Sequence, residues 1–514
     1  MAIRCNQTLR TDCNIPVKLL KKCRSMKNLS RDTLDFLSTD KQLFIGNEWT
    51  RAAGDEVFET VNPADGEVLC RVSLAGAFDV DSAVNAARTA YTDTVRGMSP
   101  GKRAALMHRL AELIKRDAAI FAEIECLDNG KPYKRALADV KAAIAHLQYY
   151  AGWADKIEAS QIPVNDPSVL VYTRREALGV AALIVPWNFP LVMAIWKLAP
   201  ALACGNCCIL KPAQQTPLSA IYLAERVREA GFPSGMVQVL TGDGETGALL
   251  SHHHDINKVS FTGSTAVGKK ILAASAASNL KKVSLELGGK SPNIIFGDAD
   301  MKRVRESLVW ACFFNSGQEC TLGSRVYVEA SRFDEVAEAL AADARSLKMG
   351  PGLSNPDLGP LISAQQLERV RAYIRRGKDD ATLLLGGEEP LEGLDDGYFV
   401  QPTVFAAHDQ QAVIVQEEIF GPVVTLTPFS GEEELLAMAN GTPYGLASAV
   451  WTQDISRAHR IAHDLQAGVV WINGYDMFHP AVPFGGYKES GIGREMGRSA
   501  LDLYTQEKAV WVNL

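Results

Sequence analysis

Between residues 179 and 289, short apolar runs alternate with helical stretches, and this constrains the fold more than any other feature of the chain. GVAALIVPWN (179–188), CCILKP (207–212), MVQVLTG (236–242), KVSFTGS (258–264) and KVSLELGG (282–289) read as buried strands. Between them, LSAIYLAERVREAG (218–231) repeats its apolar residues at helical spacing, with Gly231 at the stop and Pro233 beyond it. Buried strands separated by helices predict a parallel sheet covered on both faces. The pattern resumes after residue 290 with RVYVEAS, FDEVAEALAADARSL, TLLLGG, VVTLTPF and AGVVWING, which predicts a second α/β domain.

Two further segments are legible. Ser99 and Pro100 open a helix whose apolar residues recur at 106, 110, 113, 114, 121 and 124, and DNGKP (128–132) ends it. QIPVNDPSVLVYTRRE (161–176) places proline and asparagine between two strand-like runs and reads as a β-hairpin. With 514 residues the chain is too long for one hydrophobic core. A formal net charge of −7 makes no general case for nucleic-acid or acidic-membrane binding. No apolar run approaches the ~20 residues of a membrane helix. The ten cysteines form no regular framework and suit a reducing compartment.

The first 30 residues are basic, carrying Arg4, Arg10, Lys18, Lys21, Lys22, Arg24 and Lys27 against Asp12. They lack both the apolar centre of a secretory signal and the arginine- and serine-rich pattern of a transit peptide. The segment reads as a disordered tail, or as an extension ahead of a start near Met26, on a cytoplasmic protein.

Several motifs bear on chemistry. Gly242-Asp-Gly244-Glu-Thr-Gly247 is a GxGxxG between strand and helix, but the acid expected about 20 residues on is missing. FTGSTAVG (261–268) is an equal phosphate candidate, since Gly263 lets backbone approach and Ser264 can cap a helix facing an anion. Cys204, Cys207 and Cys208 have no second ligand pair to complete a zinc site, so no metal is expected. His252, His253 and His254 read as a solvated turn. Cys320 lies in FFNSGQECTLGSR (313–325), a polar, glycine-bearing loop, where a thiol is reactive only if its surroundings make it so. PWNFP (186–190) offers Asn188 at a strand end, LELGGK (285–290) offers Glu286 beside glycines that admit a ligand, and EEIFGP (417–422) adds Glu418 and Phe420. Strand ends of an open α/β sheet converge on one crevice, where these groups could meet.

These stretches carry a specific resemblance. FIGNEW, VNPADGEVL, DNGKP, YYAGWADK, PWNFPLVM, LKPAQQTPLSA, FTGST, LELGGKSPNII, FFNSGQEC, EEIFGP, NGTPYGL and PFGGYKESGIGRE occur in the order found in NAD(P)+-dependent aldehyde dehydrogenases, from about residue 40 to the C-terminus. The resemblance implies a Rossmann-like cofactor domain (39–157 and 179–288), a catalytic domain (289–488) and a β oligomerisation arm (158–178 and 489–514) after an extension over 1–38. It implies a homodimer or homotetramer. Cys320 matches the nucleophile, Glu286 the general base, Asn188 the oxyanion amide and Glu495 a carboxylate behind the base. Lys211 and Glu418 match residues that hold the cofactor riboses, Phe420 flanks the nicotinamide, and Ser264 meets the pyrophosphate. Trp187, Gln214, Gly247, Gly263 and Gly268 complete the cofactor set, with 242–247 shaping the adenine cleft.

The chemistry explains the residue types. A thiolate adds to the aldehyde, and the developing oxyanion meets the Asn188 amide and the Cys320 N–H. Hydride loss to the nicotinamide leaves a thioester. Glu286 then activates water to hydrolyse it, a task suited to a carboxyl raised by burial. A CoA-acylating relative would lack Glu286, and a structural protein on this fold would have no need of the set.

Two positions depart from the commonest pattern. Gln214 stands where a glutamate usually binds the adenosine ribose and repels a 2′-phosphate, which predicts use of NADP+ beside NAD+. Glu319 immediately precedes the nucleophile, and its direction is open. Phe189, Val192, Trp196, Phe478 and Phe484 match a mostly aromatic substrate funnel suited to aliphatic or aromatic aldehydes. Such walls also suit a cation, and Asp476 near the mouth would attract an amino or trimethylammonium aldehyde. No pocket arginine is evident to select a carboxylate-bearing substrate.

Overall fold

The computed structural model describes residues 29–514, and the two predicted α/β units are two separate sheets. The first runs in the order Gly491–Ile492, Lys282–Glu286, Lys258–Thr262, Val180–Ile184, Cys207–Lys211, Val237–Val239, Leu43–Ile45, Glu48–Thr50. Its five central strands are the five predicted runs, and they pair in parallel. Val180–Ile184 and Cys207–Lys211 are buried at every residue, which is why they read as continuous apolar runs. Chain order reverses between Val180–Ile184 and Lys258–Thr262, opening a crevice past their carboxyl ends.

The helices follow local chemistry. Leu218–Ala230 ends at Gly231, whose φ of 84° is the left-handed stop glycine supplies cheaply. The helix expected from Pro100 to 128 is in fact two, Pro100–Arg116 and Ala118–Asp128. Asp117 breaks the run (φ −100°, ψ 19°), its carboxylate accepting from the Arg116 guanidinium at 2.7 Å and from Arg226. Pro190–Ala203 is buried along its whole length. With no polar face it offers no helical contrast in the sequence.

The second sheet runs Thr382–Leu385, Thr403–Ala406, Val423–Phe429, Arg325–Glu329, Pro292–Ile295, Ala447–Trp451, Val469–Ile472. All its pairs are parallel except the first. Residues 287–291 carry the chain from the carboxyl end of Lys282–Glu286 to the amino end of Pro292–Ile295. The Cys320 loop likewise precedes Arg325–Glu329, and EEIFGP precedes Val423–Phe429. The crevice of the first sheet therefore faces the amino ends of the second.

The predicted hairpin is Gln161–Ile162 against Val169–Ala177, whose other edge pairs with Thr505–Asn513 over nine residues. Residues 491–492, expected in this arm, are an edge strand of the first sheet instead. A second correction concerns the extension expected to be disordered through residue 38. Arg31–Leu37 is a helix capped by Ser30. It docks because the Ser30 and Thr33 hydroxyls donate to the Glu123 carboxylate at 2.6 and 2.5 Å while Leu37 is buried. The expectations for residues 1–28 lie outside the described residues. Among those described, no helix is long and apolar enough to cross a membrane.

Candidate active site

Cys320 is held by a strained loop. Asn315, Ser316 and Gly317 are all left-handed, at φ 49°, 57° and 74°. Non-glycine residues keep that conformation only where contacts over-determine it. Here Asn315 Nδ2 donates to the carbonyls of Asn188 and Gln318, both at 3.2 Å, and Ser316 Oγ donates to Gly359 O at 2.8 Å. The Ile362 N–H donates to Gln318 Oε1 at 2.8 Å. A Cβ at Gly317 would lie 2.0 Å from Gly421 O, so glycine lets this loop press against EEIFGP. Asn188 is buried, and its Nδ2 donates to Gln318 O at 3.0 Å.

The glycines after Glu286 admit the protein itself. A Cβ at Gly288 would meet Glu418 Oε2 at 2.2 Å, and one at Gly289 would meet Cys320 O at 2.4 Å. The Gly289 N–H donates to Glu418 Oε1 at 3.1 Å. Burial raises Glu418 to about 7, against that N–H and the charges of Arg369 and Lys290.

Glu286 ends its strand with its carboxyl buried and Oε2 without a partner among the described residues. Burial, then the Glu495 charge, push it well above the carboxylate range, against Lys197 and Arg494. Behind it, Lys197 donates to Glu495 Oε1 and, at 3.2 Å, to Ser260 Oγ, which in turn donates to Glu495 at 3.0 Å. Sequence reasoning missed Lys197 and Ser260. The signal was a lone lysine inside PLVMAIWKLAPALA, since a charge in an apolar helix needs a buried partner.

A cavity of about 590 Å³ lies past the carboxyl ends of the first sheet, lined by Lys211, Gln214, Gly247 and Ser264 among others. Through Pro186, Trp187 and Gly263 it opens into a second of about 420 Å³, where Asn188, Gly288, Cys320, Glu418 and Phe420 meet. The Trp187 and Phe420 rings touch edge to face at 5.1 Å. This trough suits a dinucleotide: a Cβ at Gly244 or Gly247 would meet nothing and project into open space. Ser264 caps the helix Thr265–Ala277 at the cleft, accepting from the Val267 N–H at 3.4 Å. Burial lowers Lys211 to about 8, opposed by Asp243. The neighbouring helix Gly244–His252 has its N-terminus filled by Asp243, which accepts from Glu245 and Thr246. The GxGxxG turn is thus no anion cradle. His252 ends that helix on the cleft, and His253 meets Asp81 at 3.1 Å. Gly268 lies off the trough, where a Cβ would meet Leu287 at 2.7 Å, so this glycine serves helix packing. Among the described residues no His, Cys, Asp and Glu group is placed to hold a metal ion.

Of the aromatic set, Trp196, Phe478 and Phe484 meet pairwise at 5.6–6.1 Å, with Phe478 41% exposed at the rim. Val192 is on the same helix as Trp196. Phe189 instead stacks on Phe314 at 6.4 Å. The Arg135 guanidinium lies 5.0 Å over Phe314 and 4.8 Å over Trp310. An arginine therefore stands behind this wall, arriving from the helix Tyr133–Ala151, outside any motif. Glu319 is buried and meets the Asp476 carboxyl, to which Thr321 Oγ1 also donates at 3.5 Å. Burial first, then Glu319, Glu418, Glu286 and Asp476, hold the Cys320 thiol well above its ordinary value.

The comparisons agree with this geometry. The model of the aldehyde dehydrogenase family matches residues 49–510. The mitochondrial aldehyde dehydrogenase of Homo sapiens is 48% identical over 479 residues, covering 92% of this chain and 92% of its own. Among solved structures, an NAD+ complex of an aldehyde dehydrogenase from Bacillus cereus superimposes with a TM-score of 0.92 at 48% identity, over 95% of this chain and 99% of that one. A betaine aldehyde dehydrogenase from Staphylococcus aureus, also with NAD+, gives 0.91 at 36% identity, over 94% and 97%. A thiol loop, a buried carboxyl and a dinucleotide-sized trough on this fold, together with these matches, place the chain in the aldehyde dehydrogenase family.

Proposed function

We infer that this protein oxidises aldehydes to carboxylic acids with NAD+, and with NADP+ as well, through a covalent bond to Cys320. The observation that carries the reading is the placement of Cys320, Asn188 and Glu418 around one end of a trough whose other end Lys211, Gln214 and Ser264 line. Lys211 and Glu418 would hold the two riboses, and the capped helix at Ser264 would face the pyrophosphate. When bound, the nicotinamide supplies the hydride acceptor.

The chain's own groups do the rest. Cys320 Sγ adds to the carbonyl carbon, and the Asn188 amide with the Cys320 N–H receives the developing charge. Glu286, its Oε2 free of protein partners, takes a proton from the water that hydrolyses the thioester. Behind it, Glu495 accepts from Lys197 and Ser260 while its Oε2 has no partner among the described residues, which offers a second carboxyl for the proton beyond Glu286.

The first sheet serves as the cofactor body and the second as the catalytic body. The arm strand Thr505–Asn513 leaves Trp511 exposed at 67%, which fits pairing with a second copy in a dimer or tetramer. A cytoplasmic location fits the cysteine pattern. Aliphatic and aromatic aldehydes suit the rings of Trp196, Phe478 and Phe484. The same rings, with Asp476 two positions before Phe478 in the chain, support a second reading in which the substrate is an amino or trimethylammonium aldehyde. NAD(P)H absorbance with a panel spanning propanal, benzaldehyde and betaine aldehyde tests both. Turnover of none refutes the function, and kcat/KM highest for betaine aldehyde selects the second reading.

A further inference from the structure

The DNGKP turn (128–132) supplies no reacting group, yet with the helix before it the turn grips the segment bearing Asn188 at three alternate residues. The buried Asn129 side chain donates from Nδ2 to Trp187 O at 2.7 Å. The Lys131 ammonium lies 4.6 Å over the Phe189 ring, and the Leu191 N–H donates to Glu125 Oε1 at 2.8 Å. Lys131 is itself fixed, donating to Asp139 at 2.5 Å and facing Glu125 at 3.5 Å. The turn is anchored at its start, where Asp128 accepts from the Thr60 hydroxyl at 2.7 Å and the Leu218 N–H at 2.8 Å.

The same turn abuts the segment that supports the nucleophile loop. Gly130 is left-handed at φ 90°, and a Cβ there would lie 2.6 Å from Pro360 Cγ. A Cβ on Gly359 would lie 2.2 Å from Gly130 O. Gly359 and Pro360 are the residues whose carbonyls accept from Ser316 Oγ at 2.8 Å and Gln318 Nε2 at 3.3 Å. One turn therefore sets the Asn188 segment and the Cys320 loop against each other. An amide nitrogen carries two hydrogens, and Asn188 uses one on Gln318 O. The other is left for an oxyanion, and its direction follows the backbone on either side of residue 188.

We propose that the DNGKP turn aims the Asn188 amide at the carbonyl bound to Cys320, with Asn129 as a positioning residue that acts through Trp187 O. The proposal rests on the reading of Asn188 as the oxyanion donor. Removing the Asn129 amide releases the peptide next to Asn188, and misplacing a catalytic group by about 1 Å costs on the order of a hundredfold in rate.

A double-mutant cycle on the full chain separates this role from a merely structural one. Asn129→Ala, Asn188→Ala and the double variant are compared by NADH formation with saturating NAD+ and benzaldehyde. Asn129→Ala should lower kcat by about tenfold or more. The double variant should stay within about twofold of Asn188→Ala, because a residue acting through the amide has nothing left to position. Asn129→Leu, of similar volume and without a donor, should repeat both results. A crystal structure of Asn129→Ala without cofactor should show Asn188 Nδ2 displaced from its 3.0 Å contact with Gln318 O. Losses that multiply in the double variant, or wild-type kcat in Asn129→Ala and Asn129→Leu, overturn the proposal. If Asn188→Ala turns over like wild type, the oxyanion reading fails on its own. The crystal structure then tests the clamp: a displaced amide upholds it, and an unmoved one overturns it.

Discussion

Replacing Asn188 by alanine separates catalysis from folding at this site. Among the described residues the side chain makes one hydrogen bond, Nδ2 to Gln318 O at 3.0 Å. Gln318 O keeps a second donor, Asn315 Nδ2 at 3.2 Å, and the Asn188 backbone carbonyl that Asn315 also grips is retained in alanine. The stability cost should therefore be that of one replaceable hydrogen bond, about 1 kcal/mol. The oxyanion, by contrast, loses a charge-stabilising donor in a site sheltered from water, worth roughly 2.7–4 kcal/mol, or a hundred- to thousand-fold in kcat. Stopped-flow NADH formation, urea unfolding and Cys320 alkylation on the same preparation measure the three quantities. A fall in kcat of less than about fivefold, with folding and thiol reactivity intact, would show that Asn188 is not the oxyanion donor.

Other perturbations test separate parts. Glu286→Gln should give a burst of NADH near one equivalent and then stall, because acylation does not need the base; steady turnover at the wild-type rate contradicts this. In wild type, the base works only when ionised and burial raises it, so activity should fall with decreasing pH at values well above the ordinary carboxylate range. A kcat limb at the usual value for glutamate would show that Glu286 is not the group. Gly317→Ala places a Cβ 2.0 Å from Gly421 O in a left-handed position, so it should lower the urea midpoint and cut activity by more than tenfold; a wild-type midpoint would mean that the loop is not clamped. Gln214→Glu should raise the KM for NADP+ while leaving NAD+ use unchanged, and equal discrimination in both forms refutes the Gln214 reading.

Much of this was legible in the residues because buried parallel strands announce themselves. Val180–Ile184 and Cys207–Lys211 are apolar throughout, and Gly231 marks its helix end with a left-handed turn. Pro190–Ala203 was silent for the opposite reason, since burial on all sides erases the contrast that periodicity needs. At the break, Asp117 accepts from its neighbour Arg116 and also from Arg226, more than a hundred residues away, and that distant half has no local pattern. At the site, the motifs pointed to Asn188, Cys320 and Glu418, which line one cavity, and to the buried Glu286, but not to what surrounds them. The glycines of LELGGK looked like room for a ligand, whereas Gly288 and Gly289 make room for Glu418 and Cys320. Arg135 and Lys197 lie on helices that carry motifs, but outside the motif residues themselves.

The central claim is that the acyl group passes through Cys320. Glu286→Gln mixed with NAD+ and benzaldehyde, quenched within the burst and digested, tests it by mass spectrometry. A benzoyl mass increment on the peptide bearing Cys320, absent when Cys320→Ala is treated the same way, is the predicted result. An unmodified Cys320 peptide after a full burst of NADH, or turnover surviving in Cys320→Ala, would contradict the account.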